Sequence, residues 1–561
     1  MLNNGKFAFA MTGLLSATSA FATQKKPNII FFIADDMRPY HFNCLKEGQE
    51  NGVGKNLTPN IDRLAREGVI LKNQYVASPV CTPSRYNSLT GIYASRADNP
   101  YFKQCTKRND GQTWVEFNSH ITPEDITLPK ILQEGGYETG MVGKNHVVEV
   151  KGLKFFKEFG GYKANPKDPA VKARLVENHK KVQEAIKEIG FDYVGHVYHN
   201  NPDFLGIHQI AVQNMDWLTE SGVEFIKKKK EKPFFMYFAT TIPHAPEGEK
   251  RSWNADPHIC ATGYLSDEEL PKVQPPRSSI PKRLKAAGKK VNKDTCNILW
   301  LDDALGAMIK ALEESGEIDN TVIFFFNDHG QNAKGTLYEG GIHDPSIIWK
   351  KGGFKSGHEL QELVSNIDFA PTILDIAGVD YKDMKLSGKP VKFDGVSFYK
   401  ELYGLNKGMM NKIKSVLHIG NNKKERVLYH ELGFARAIRK GNFKFLAVRY
   451  PKRFQNLTDE QRKKLLEDWN AERERREIPI VTKDWHDGFS HLTAIPGGGH
   501  AESESTGKYP GYYDGDQLYD LSKDPNEQVN LAKNPEYKAK LEEMKEELKK
   551  VLDTLPGEFP L

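Results

Sequence analysis

Three short stretches carry side chains whose types and spacing suit joint chemistry. An apolar run, Ile29-Ile30-Phe31-Phe32-Ile33-Ala34, ends in Asp35-Asp36, and a second, Thr321 to Phe326, ends in Asn327-Asp328-His329-Gly330. Between them lies Cys81, within Ser78-Pro79-Val80-Cys81-Thr82-Pro83-Ser84-Arg85. Open α/β sheets bind ligands at the carboxyl ends of their strands. Two such ends side by side offer three carboxylates and an imidazole, and hard oxygen donors favour calcium or magnesium over zinc. An Asp-Asp pair alone is more often a turn or a helix cap. The pairing of two strand ends makes a metal site the better reading.

The elements that must position these groups follow from the hydrophobic pattern. Continuous apolar runs suit strands buried on both faces, as in a parallel sheet covered by helices. Thr58-Pro59 supplies an N-cap and first-turn proline for a helix with Ile61, Leu64 and Ala65 on one face, ended by Gly68. Strands are expected at Val69 to Val76, through Met141-Val142 and at Phe234 to Ala239. Helices are expected at Leu128 to Gln133, Ile210 to Lys229, Asn297 to Glu314 and Val364 to Ala377. The alternation predicts an α/β fold with a mostly parallel central sheet flanked by helices. Beyond about residue 400 the texture changes. Arg436 to Lys440 and Phe443 to Val448 read as short antiparallel strands. They are followed by a polar helix near Asp459 to Arg476, a loop from Gly497 to Gly515 and an amphipathic stretch, Pro535 to Leu552. The expected division is 23–400 for a catalytic domain and 401–561 for a smaller α+β subdomain with an antiparallel sheet.

A chain of 561 residues with 79 basic and 74 acidic side chains is nearly balanced in charge, which argues against a dedicated nucleic-acid binder. Lys6, the apolar stretch Phe7 to Leu15 and Ala20-Phe21-Ala22 before Thr23 form the pattern of a secretory signal peptide over residues 1–22. The stretch is too short to span a bilayer, and no cysteine follows to take a lipid, so a periplasmic or secreted protein without a membrane anchor is expected. Of five cysteines, Cys81 stands apart by its surroundings; Cys44, Cys105, Cys260 and Cys296 are free to pair in an oxidising compartment, with partners unassigned.

Cys81-Thr82-Pro83-Ser84-Arg85, continuing to Leu89-Thr90-Gly91, resembles the C-x-P-S-R…L-T-G signature of the type I sulfatases, in the alkaline phosphatase superfamily. Gly136-Tyr137-Glu138-Thr139 with Gly143-Lys144-Asn145-His146, Pro243-His244-Ala245-Pro246 and Lys334-Gly335-Thr336-Leu337-Tyr338-Glu339-Gly340-Gly341 are similar to further blocks of that family, in its order. Asp368-Phe369-Ala370-Pro371-Thr372 and Leu518-Tyr519-Asp520-Leu521…Asp524-Pro525 match later landmarks, so the resemblance spans nearly all of the mature chain.

The resemblance implies that a maturation enzyme oxidises Cys81 to formylglycine (3-oxoalanine), whose hydrate is the nucleophile. It implies one calcium ion held by Asp35, Asp36, residue 81, Asp328 and His329. Arg85 and Lys144 would stabilise the developing alkoxide and Lys334 the sulfate. His244 would protonate the leaving oxygen, with Lys334 as helper or alternative acid, and His146 would take the proton of the second hydroxyl as sulfate departs. His329 stands where many relatives carry asparagine, and His343 where arginine is common. The motifs do not specify the alcohol; export, a nearly neutral polar surface and long connecting segments favour a sulfated saccharide over a small aryl or steroid ester, with His199, Arg449, His491, His500 and Trp485 as candidate contacts. A phosphodiesterase or phosphonate hydrolase of the same superfamily, and a non-catalytic glycan-binding protein with unconverted Cys81, are the competing readings.

Overall fold

The computed structural model describes residues 25–403, 425–475, 480–499, 502 and 505–561. The expected signal peptide, the segment next to the expected domain boundary and His500 lie outside them. The central sheet has eight strands: β1 (Asn28–Asp35), β2 (Val69–Leu71), β3 (Glu138–Lys144), β4 (Tyr193–Tyr198), β5 (Phe234–Pro243), β6 (Thr321–Asn327), β7 (Ser346–Lys350) and β8 (His358–Leu360). Their spatial order is β8-β2-β7-β6-β1-β5-β3-β4. Pairing is parallel from β6 through to β4, and β7 runs against both of its neighbours.

The continuous apolar run of β1 is explained by its two buried faces. Ile29, Phe31 and Ile33 enter one hydrophobic layer, and Ile30, Phe32 and Ala34 the other, as the period of two requires. The second layer is built with α1 (Pro59–Glu67), and the first with α2 (Cys81–Thr90) and α3 (Leu128–Glu134). Later in the chain, α4 (Met215–Lys227) and α5 (Lys293–Glu314) join the second layer and α6 (Phe369–Ala377) the first.

Beyond residue 425, β9 (Val427–Leu432), β10 (Ala435–Lys440), β11 (Phe443–Val448) and β12 (Asp516–Asp520) form an antiparallel sheet in that order. One face of it, through Leu428, Leu432, Ala435, Ala437 and Leu446, belongs to the same hydrophobic cluster as β1 and α2. The other packs Tyr429, Ile438, Phe445 and Leu518 against Leu541, Met544 and Leu548 of the C-terminal helix, Lys538–Leu552. The second sheet therefore shares its inner core with the first.

Several local expectations are corrected. The stretch 69–76 is not one strand. After Lys72-Asn73, Gln74–Tyr75 leaves the main sheet and pairs with Val364–Ser365. That pairing also delays the late helix to Phe369. Helix α4 starts at Met215 because Asn214 accepts the Trp217 amide at 3.2 Å, and α5 starts at Lys293 under Asn292. The four other cysteines form no disulfide; Cys260 and Cys296 are packed into the second layer as small hydrophobes.

Thr58 does not cap α1 through its side chain, although Pro59 holds the first position as expected. Its hydroxyl instead donates to Asp62 at 3.2 Å. The cap comes from α5: Asp302 Oδ1 accepts the amides of Asn60 (3.1 Å) and Ile61 (2.8 Å). Asp302 is fully buried, and burial pushes its carboxyl up to about 7 despite these bonds. Asp302→Ala is expected to lose about 1–3 kcal/mol by stranding both donors. A urea titration should show an earlier midpoint while turnover of the folded fraction stays at the wild-type value; an unchanged midpoint would remove Asp302 as the cap.

Candidate active site

Adjacent strand ends deliver the polar groups. The register of β1 with β6 continues past the strands, the Asp328 amide donating to Ala34 O at 3.1 Å. On the other side the His244 amide donates to Asp35 O at 3.0 Å. The ends of β6, β1 and β5 thus present Asp328-His329, Asp35-Asp36 and His244 next to one another. Asp36 has φ 69°, a left-handed conformation that is costly for an aspartate and characteristic of functional turns. Strand β3 ends in Lys144, whose Nζ lies 2.9 Å from both oxygens of Asp35.

Cys81 is the first residue of α2, whose ten side chains are all buried and whose end is set by Gly91 at φ 68°. Pro83 is tolerated because it falls in the first turn. The C-x-P-S-R spacing places Cys81 and Arg85 four residues apart, on one face of the helix. Arg85 Nη2 lies 3.2 Å from Asp35 Oδ1 and 3.1 Å from Asp328 Oδ2. Ser84 donates to the Asp328 carbonyl and is itself held by Asn366 Nδ2 at 3.1 Å; Thr82 donates to the His146 carbonyl at 2.9 Å. Helix, β6 and β3 are thereby locked together around residue 81.

Cys81 Sγ lies 3.8 Å from Asp35 Oδ1 and 3.5 Å from His329 Nε2. Asp35, Cys81 and Asp328 bring donor atoms within 4.8 Å of one another, as do Asp36, Cys81 and His329. Residue 81 is the shared member, so all five proposed ligands gather around it. Asp36 accepts Lys334 Nζ at 2.7 and 2.9 Å, and faces His329 Nε2 at 3.3 Å and His244 Nε2 at 3.6 Å.

The charges are strongly coupled to burial. Burial opposes the ionised Asp35, but Lys144, with His244 and Arg85 nearby, holds its carboxyl well below the usual range. Lys334 does the same for Asp36 against the same burial. Asp328 behaves oppositely: burial pushes it up to about 7. Burial would also raise the Cys81 thiol, yet Lys144 and Lys334 bring it down to about 5. His329 is raised to about 9 despite burial because Asp328 faces it. Three enclosed carboxylates with one forced upward form a donor set that fits a hard divalent cation.

His146, in a left-handed conformation (φ 49°), stacks on Phe117 with centroids 5.7 Å apart, and its Nδ1 has no partner. Burial drives its pKa well down. Its amide donates to His199 O at 2.8 Å, which puts His199 on the same rim. The other candidate sugar contacts do not join them. Arg449 is ion-paired with Asp516, and His491 is buried against Tyr512, with ring centroids 4.0 Å apart; both serve the C-terminal sheet and its loop. Trp485 stacks on its neighbour His486. His343 stacks on Tyr75 and bonds Lys72 O at 2.8 Å.

Sequence reasoning missed Asn201, whose Nδ2 donates to Asp35 Oδ2 at 2.8 Å. The signal was present: His199-Asn200-Asn201 is a polar triplet at the carboxyl end of β4. Asn327, which bonds Asp344 at 3.0 Å, stands in the strand-end motif without a role assigned to it, and Asn366, behind Ser84, carried no such mark.

A solved chain described as a structure in complex with its substrate D-glucosamine-2-N,6-O-disulfate shares this architecture, with a TM-score of 0.53 and 18% identity over 94% of this chain and 98% of that one. The two therefore share a fold, a mixed α/β architecture whose mostly parallel central sheet is flanked by helices. A family model described as Sulfatase matches residues 27–379, and the chain belongs to the sulfatase family. It is 24% identical to an ulvan-active sulfatase from Formosa agariphila, over 95% of this chain and 75% of that protein. It is 27% identical to an N-acetylglucosamine-6-O-sulfatase from Bacteroides thetaiotaomicron, over 64% of this chain and 68% of that protein. The chain is a sulfuric ester hydrolase.

Proposed function

We propose that the protein releases inorganic sulfate from a sulfated carbohydrate, with Cys81 converted to formylglycine by a maturation enzyme and one calcium ion held by Asp35, Asp36, residue 81, Asp328 and His329. The observation that carries this reading is the convergence of those five residues on one buried point. The sugar is inferred from relatives whose names give ulvan and N-acetylglucosamine 6-sulfate as their targets. Export through the N-terminal signal fits a polysaccharide too large to enter the cell.

The cation, when bound, supplies positive charge to the sulfate oxygens, and the aldehyde hydrate supplies a nucleophilic hydroxyl with a second hydroxyl beside it. The remaining work belongs to the chain's own side chains. The amides at the start of α2 favour an anion in front of residue 81. Lys334, beside Asp36, holds the sulfate group. Lys144 and Arg85 fix Asp35 and Asp328 and keep positive charge behind the attacking oxygen in a site closed to water. His244 bonds the Ala245 carbonyl through Nδ1 at 2.8 Å, so Nδ1 carries a hydrogen and Nε2 is the atom that hands a proton to the leaving sugar oxygen. His146, held neutral by burial, accepts the proton whose loss expels sulfate.

Incubation with defined sulfated oligosaccharides, reading free sulfate and product linkage by NMR beside matched phosphate esters, tests the reading. Sulfate release with little phosphate release is expected; preferential cleavage of the phosphate ester would overturn it. Exhaustive chelation should stop turnover, lower the melting temperature because a native-state ligand is lost, and be reversed by calcium better than by magnesium. Full turnover by protein shown to be metal-free would remove the cation from the account.

A further inference from the structure

The C-terminal sheet reaches both segments that carry the cleft. On the first, His430 Nδ1 donates to Val76 O and the Glu431 amide donates to Ala77 O, each at 2.9 Å, just ahead of Cys81. On the second, Lys444 of β11 and Glu527, shortly after β12, form an ion pair at 2.5 Å with both side chains fully enclosed. Glu527 Oε2 accepts the Glu339 amide at 2.7 Å, and Lys444 Nζ lies 3.3 Å from Glu339 Oε1. Glu339 Oε2 in turn accepts Tyr75 Oη at 2.8 Å and faces Arg439 Nη1 at 3.3 Å.

Glu339 is the base of a tight loop. The Ala333 amide donates to Gly340 O at 3.0 Å, the Gly330 amide to Gly341 O at 2.9 Å, and the Gly335 amide to Pro79 O at 3.2 Å. At the top of that loop stands Lys334, 2.7 Å from Asp36. A buried ion pair is a poor way to hold two sheets together, since apolar residues of like volume do it as well. Glu527 also adopts φ 56°, a strained conformation for a glutamate. Strain and buried charge at one point outside the cleft are accounted for if the loop must be held in a single place.

Resting on the sulfatase reading, we propose that Lys444 and Glu527 are positioning residues which, acting through Glu339, set Lys334 over Asp36 and thereby tune the cleft's affinity for the sulfate group. A double variant, Lys444→Met with Glu527→Gln, removes both charges together, so that neither is left buried alone. With 4-nitrophenyl sulfate as substrate, its inhibition constant for inorganic sulfate is expected to rise by about tenfold or more, with a fall in kcat, because small displacements in a site of this kind cost large factors. Met544→Ala, on the far face of the C-terminal sheet, should lower the melting temperature and leave the sulfate constant within about twofold. Tyr75→Phe deletes a single hydroxyl and decides the matter if the double variant does not fold, with an expected rise of about threefold. Sulfate constants that equal the wild-type value in the charge variant, or in Tyr75→Phe where that variant decides, would overturn the proposal. Failure of the wild-type enzyme to cleave any sulfate ester would instead strike the functional reading, and is seen before any variant is compared.

Discussion

Cys81→Ser is expected to abolish catalytic turnover while leaving the fold intact. Serine matches the shape of cysteine, and the site at the start of α2 is set by contacts of Thr82, Ser84 and Arg85 that the substitution does not touch. A serine hydroxyl can at most accept one sulfo group. The ester so formed has no neighbouring hydroxyl whose deprotonation would expel sulfate, so the enzyme stops after a single event. The loss in steady-state rate should be on the order of 10^4-fold or more, the scale seen when a covalent nucleophile is removed. The measurement is continuous release of free sulfate by the purified variant, with circular dichroism as the control for folding. Substantial remaining turnover would remove residue 81 as the nucleophile.

The second large effect concerns His244 and depends on the substrate. Its Nδ1 is occupied by the Ala245 carbonyl, and its ring sits partly exposed at the mouth, Nε2 3.6 Å from Asp36 Oδ2. A sugar alkoxide is a poor leaving group and needs a proton as it departs; a nitrophenolate leaves without one. His244→Ala should therefore slow a sugar sulfate by about 10²- to 10⁴-fold, the usual yield of general acid catalysis, and an activated aryl sulfate by less than about tenfold. The comparison of kcat/KM on the two substrates reads the role directly. Equal losses on both would make His244 a structural or binding residue.

The parts of this site legible in the sequence are those where a local pattern and a chemical need coincide. The apolar run ending in Asp35-Asp36 had to be a doubly buried strand, and its carboxyl end had to face a cleft. The C-x-P-S-R motif marks Cys81 and Arg85 by family resemblance, while the helix that sets them on one face shows only in the structure. Less legible were contacts made across the fold. Nothing near Thr58 reveals that Asp302, more than two hundred residues later, takes over its cap. Arg449 and His491 have suitable chemistry for sugar recognition, but tertiary pairing with Asp516 and Tyr512 uses them elsewhere. The continuity of the two sheets was equally hidden, because inward-facing Leu428, Ala437 and Leu446 look the same in sequence whether they close their own core or share another.

Lys444 and Glu527 lie on the same side of that divide. Read alone they are ordinary charged residues of a subdomain. Their enclosure and their bonds to Glu339 tie the C-terminal sheet to the loop that carries Lys334. The C-terminal region is thus part of what shapes the cleft, although the matched family region ends at residue 379.

The most direct test of the central claim is the mass of the peptide containing residue 81, taken from enzyme purified from its native host and shown to release sulfate. An aldehyde or its hydrate is expected at that position, in proportion to the active fraction across preparations. An intact Cys81 thiol in fully active enzyme would contradict it.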